Sequence, residues 1–123
     1  MSKNVYVMKI DRTVIAEAVL ADTFFNRLIG LLPVKALDEN KGIILKPCRQ
    51  IHTFHMKYEI DAVFLSPRNE IIHIVKNIKP NKVTDYIRNA KSVVELYAGT
   101  AEKHGLAVGD TLRLEECVEI SCW

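Results

Sequence analysis

The run IDAVFL, Ile60–Leu65, constrains the fold of this chain more than any other stretch. In an extended strand successive side chains alternate, so Ile60, Ala62 and Phe64 share one face and Asp61, Val63 and Leu65 the other. Both faces are apolar apart from Asp61, which predicts a central strand covered on both sides. A carboxylate in such a strand must be hydrogen-bonded or paired, because an isolated buried charge is too costly. Glu95, in VVELY and on one face with Val93 and Tyr97, is the second acid of this kind.

The rest of the chain repeats the theme of short apolar runs separated by turn signals. Strands are expected near Val5–Ile10, Val14–Leu20, Ile43–Lys46, Ile51–Met56, Ile60–Leu65, Ile71–Ile78, Ser92–Ala98 and Thr111–Glu116. The tail Val118–Ser121 continues the last strand or adds another. Asp11-Arg12-Thr13 suits a hairpin connection, and Ser66-Pro67-Arg68-Asn69 reads as a type I turn with proline at its second position. Gly109-Asp110 marks a tight entry into the final strand. About eight short strands predict a mainly β domain, a β-sandwich or a partly open barrel.

One α-helix is expected to pack on that sheet. Asp22 or Thr23 can cap it, and Pro33 disfavours helical geometry at Leu32. Over Thr23–Leu32 the apolar residues Phe24, Phe25, Leu28, Ile29, Leu31 and Leu32 fill one side, with Arg27 at the edge of the buried face. A short second helix is expected at Ala101–His104, capped by Thr100 and ended by Gly105. Asn81–Lys91 reads either as a loop or as an irregular helical turn.

Size and charge narrow the class. With 123 residues, 49% of them hydrophobic, the chain is long enough for a single domain, 1–123, without disulfides. Seventeen basic residues against 15 acidic ones give a formal charge of +2, too slight to specify a partner. Cys48, Cys117 and Cys122 are odd in number and irregular in spacing, which speaks for reduced thiols and a cytoplasmic home. The apolar stretches are too short for a signal peptide or a membrane span.

Several motifs stand in a recognisable order. They are Arg27-x-x-Gly30-Leu31-Leu32, IHTFHM at Ile51–Met56 and Ile60-Asp61-Ala62-Val63-Phe64, then Asn77 and Pro80. SVVEL at Ser92–Leu96, Ala98-Gly99 and Gly105-x-x-x-Gly109-Asp110 follow. In this order and spacing the chain resembles the bacterial and archaeal family called domain of unknown function 192, over roughly Val14 to Leu114. The resemblance implies a compact, mostly β domain with one helix packed across it, and no established reaction. The segment 117–123 lies outside it. The chain departs from the family's commonest pattern at His55-Met56-Lys57-Tyr58-Glu59 and at the turn Arg68-Asn69.

Three kinds of chemistry deserve weighing against plain structural roles. Cys48, His52 and His55 carry metal-ligand groups, but on a regular strand His52 and His55 face opposite ways and cannot share an ion. A metal site using His52 with Asp61 or Glu95 stays open, as does acid–base work by the paired acids. Arg27, Asp61 and Glu95 could equally form a structural ion-pair network tying helix to sheet, alongside a pocket that includes His52. Lys76, Lys79, Lys82, Arg88 and Lys91, with Tyr86 and Asn81 interleaved, could meet single-stranded nucleic acid. The near-neutral total favours a solvated basic face over a nucleic-acid partner. The balance points to a non-catalytic binding or accessory module for a small ligand or protein. A small metal-dependent or acid–base enzyme using His52, Asp61 and Glu95 is the alternative.

Overall fold

The computed structural model describes residues 5–10, 13–21, 40–54 and 56–116. Seven strands form one sheet: β1 Val5–Ile10, β2 Thr13–Ala21, β3 Lys41–Leu45, β4 Ile60–Leu65, β5 Ile71–Ile78, β6 Ser92–Tyr97 and β7 Arg113–Glu116. Their order across the sheet is β5-β4-β6-β3-β2-β1-β7. The domain is thus mainly β, and its sheet does not close into a barrel. The helix expected at Thr23–Leu32 and the tail beyond Glu116, with Cys117, Cys122 and Trp123, lie outside the described residues.

All neighbouring strands pair antiparallel except β2 and β3, which run parallel from Glu17↔Lys41 to Ala21↔Leu45. A parallel pair needs a crossover rather than a hairpin, and the expected helix falls in the sequence between these two strands. Between β1 and β2 the register passes from Met8↔Ala16 to Lys9↔Val14. Ile15 is therefore an extra residue, and it joins Ala16 in the core, so two consecutive side chains are buried.

β4 is buried along its whole length, as its two apolar faces require. The inner face of the curving sheet gathers Met8, Ala16, Ala18, Ile44, Val63, Leu65, Val94 and Leu96, closed over by Ala101, Leu106 and Leu112. The opposite face gathers Ile43, Leu45, Ile60, Ala62, Phe64 and Val93 beneath Cys48, Ile51 and Ala90. Burying each large side chain of this kind contributes about 1.5–3 kcal/mol. Both faces of β4 thus belong to a core.

The turn after β4 forms as the sequence predicts. Asn69 donates its N–H to the Ser66 carbonyl at 2.9 Å, and Asn69 takes φ 62° to restart the ladder with Glu70. The final strand begins differently. Ile71 donates to the Asp110 carbonyl at 2.7 Å and Leu112 to the Asn69 carbonyl at 2.9 Å, while β7, one residue later, pairs with β1. One short segment therefore touches β5 at one end of the sheet and β1 at the other.

Ile51–Met56 is not a strand of the sheet. Its ladder contact is an isolated bridge, His52↔Val83. Residues 47–53 run instead alongside residues 82–91, through Cys48 N–H to Lys91 O (3.0 Å), Ile87 N–H to Arg49 O (2.8 Å) and Thr84 N–H to Ile51 O (3.0 Å). The two segments form an irregular layer over the second core face. Asn81–Lys91 is accordingly a loop, with one hydrogen-bonded turn at Arg88-Asn89 closed by Ala90 N–H to Ile87 O at 3.0 Å.

Candidate functional site

Asp61 is wholly buried on the inner face, in register with Leu96 of β6. Its surroundings are made by a bulge. Pairing between β4 and β5 passes from Ile60↔Ile78 to Ala62↔Val75, so β5 carries one extra residue. Asn77 takes φ 53° there and turns its N–H onto Asp61 Oδ1 at 2.9 Å.

The other carboxylate oxygen serves a helix. The short α1, Thr100–Lys103, starts at Gly99, which has φ 97° and offers no side-chain cap. Asp61 Oδ2 supplies that cap from the neighbouring strand, accepting from Gly99 N–H at 3.0 Å and Ala101 N–H at 2.9 Å. Ala101 is the second residue of the helix, where a capping carboxylate normally binds. The far end closes on Gly105 (φ 61°), with Gly105 N–H to Glu102 O at 3.1 Å and Leu106 N–H to Ala101 O at 2.9 Å. Three backbone amides thus converge on one buried carboxylate. They satisfy the condition that its burial imposes.

Glu95 is also buried, 1% exposed, but it pairs with Ala62 and with Ile43 across the sheet. Residues directly opposite in an antiparallel pair share a face. Glu95 therefore belongs to the face opposite Asp61, and the sheet itself separates the two acids. The structure does not bring them to one pocket.

His52 is exposed. Its Nδ1 accepts the Phe54 N–H at 3.2 Å, and the two rings stack with centroids 4.7 Å apart and planes 24° from parallel. Cys48 is buried, its Sγ donating to the Gln50 carbonyl at 3.2 Å. It lines an open cleft of about 290 Å³ with Pro47, Arg49, Gln50 and Tyr86. Arg27 and His55 lie outside the described residues. Among the described residues, no three His, Cys, Asp or Glu side chains are grouped to hold a metal ion. No helix among them is long and apolar enough to cross a membrane.

Two threonines that sequence reading passed over organise the irregular layer. Thr53 Oγ1 donates to Lys79 O at 2.7 Å and accepts from Lys82 N–H at 2.9 Å, with no exposed surface. Thr84 Oγ1 accepts from Ile51 N–H at 3.0 Å. A threonine alternating with exposed polar residues carries no sequence signal that separates such an anchor from an ordinary strand residue.

Open-sheet architecture and a buried carboxylate that caps a neighbouring helix define a small mainly β domain. The chain belongs to the family designated DUF192 and described as an uncharacterized ACR, whose model matches residues 6–114. A protein from Sinorhizobium meliloti 1021, provisionally described as a transcription regulator, has a similar fold, with TM-score 0.79 and 20% identity. The match covers 93% of this chain and 96% of that one. A protein of unknown function from Novosphingobium aromaticivorans DSM 12444 is similar at TM-score 0.74 and 18% identity, over 89% of this chain and 83% of that one. No curated protein matches the sequence.

Proposed function

We propose that this domain is a non-catalytic binding or accessory module, with Asp61 a structural rather than a reacting group. The observation that supports this reading is the engagement of both Asp61 oxygens by the backbone amides of Asn77, Gly99 and Ala101, at 2.9–3.0 Å. An acid or base must reach the proton it transfers. A wholly buried carboxylate committed to three amides has no such reach. Glu95, on the other face, has no route to join it in acid–base work.

Elemental analysis of purified protein, together with a thermal-shift screen over divalent metals and metabolites, tests the reading. The expected result is sub-stoichiometric metal, and Asp61→Asn lowering stability before it changes any ligand response. Stoichiometric bound metal, or Asp61→Asn abolishing a ligand shift at unchanged stability, would overturn it in favour of a metal-dependent or acid–base enzyme.

A further inference from the structure

The near-neutral total charge conceals a strong segregation. The irregular layer together with the residues that flank it, 46–58 and 79–91 in all, holds seven of the chain's 17 basic residues and one of its 15 acidic ones. The seven are Lys46, Arg49, Lys57, Lys79, Lys82, Arg88 and Lys91, with Asp85 the lone acid. All seven are exposed, and none forms an ion pair with a described residue. Outside the layer Lys41 meets Glu17 at 2.9 Å, Lys76 meets Glu102 at 3.2 Å and Arg113 meets Glu115 at 3.3 Å. Lys76 thus drops out of the basic run read from the sequence, while Lys46, Arg49 and Lys57 join it across the layer.

Aromatic rings stand among these charges. The stacked His52–Phe54 pair is exposed, with Phe54 44% accessible, and Val83 beside it is bridged to His52. Tyr86, 61% exposed, lines the cleft with Arg49 and Gln50. We infer that this layer is a binding surface for single-stranded nucleic acid, with phosphates meeting the unpaired cations and bases stacking on the rings of Phe54 and Tyr86. This rests on the binding-module reading and names its partner. Cation tracks with interleaved ring platforms are how single strands are held without base readout. An acidic polypeptide would use the charge but not the rings, and an anionic lipid surface would bind vesicles at least as well as oligonucleotides.

The test is fluorescence anisotropy of the full chain with a labelled 20-nucleotide single strand, RNA and DNA, at 50 and 200 mM salt. Four phosphate contacts predict a loss of about fifty-fold between those salts. Phe54→Ala and Tyr86→Ala should each weaken binding about ten-fold. The double variant Lys79→Glu, Lys82→Glu should weaken it further, and Arg113→Ala, on β7, should not. Circular dichroism of each variant confirms that it is folded. No binding at 50 mM salt overturns the inference and leaves the binding-module reading intact. Equal affinity for poly-glutamate or phosphatidylserine vesicles, or Phe54→Ala without effect, also overturns it. Bound metal or turnover instead overturns the underlying reading, whatever the oligonucleotide does.

Discussion

Asp61 and Glu95 sit one register step apart on adjacent strands and face opposite sides of the sheet, because Glu95 pairs with Ala62 and Asp61 with Leu96. The same backbone that holds them close keeps them from acting on one ligand. Each belongs to a different core. Asp61 ties three chain segments together: the β5 bulge, the turn after β6 and the start of α1.

Asp61→Asn should therefore cost at least about 3 kcal/mol. It removes the charge from three hydrogen bonds, each worth about 1.5–3 kcal/mol when ionic, and points an amide donor at backbone donors. Urea unfolding measures it. A midpoint unchanged from the parent would refute the structural role.

Gly42 lies in β3, between Ala18 of β2 and Leu96 of β6. A Cβ there would stand 3.0 Å from Leu96 Cδ2 and 3.1 Å from the Glu95 carbonyl oxygen. The leucine can adjust, but the carbonyl is held in the ladder. Gly42→Ala should destabilise by about 1–3 kcal/mol, as overpacked cores do. Thermal melting at several scan rates would show it.

Gly105 presents the opposite case, since nothing lies within 4 Å of an added Cβ but φ is +61°. The expected cost of Gly105→Ala is conformational and about 1 kcal/mol. Gly105→Asn should cost less, because asparagine tolerates that region. Equal losses for the two variants would contradict a purely backbone origin.

Thr53→Val should loosen the basic layer without touching either sheet core. It leaves the Lys82 amide and the Lys79 carbonyl without their buried partner, at a cost of about 1–3 kcal/mol. Thr53→Ser keeps the hydroxyl and should be close to neutral. Hydrogen exchange at the Lys82 amide should speed up in the valine variant alone.

What sequence could and could not carry is clear from particular residues. Ile60–Leu65 announced both its doubly covered position and the need to satisfy Asp61, since alternation and burial cost are local matters. The Ser66–Asn69 turn and the Gly105 stop were legible for the same reason. The side of the sheet taken by Glu95 relative to Asp61 was not, because it follows from a register set by distant pairing. Ile51–Met56 read as a strand from its short apolar run, and the structure does bury Ile51 and Thr53 while exposing His52 and Phe54. That alternation is present, but the opposing segment passes through Asn81 at φ 65° and cannot sustain a ladder. The basic surface was legible only in part, as Lys79, Lys82, Arg88 and Lys91, because Arg49 and its neighbours come from a second segment that only folding brings alongside. Arg27 and His55, also singled out by sequence, lie outside the described residues.

The pairing of β1 with β7 carries a consequence for how the chain is made. Met8 sits opposite Leu114, so β1 waits for more than a hundred further residues to be made before its outer edge is matched. Contacts this distant in sequence slow folding, and an unmatched edge is a template for pairing with a neighbouring chain. The molecule is therefore most exposed to aggregation during its own synthesis, and refolding from denaturant should be sensitive to protein concentration until the last strand docks.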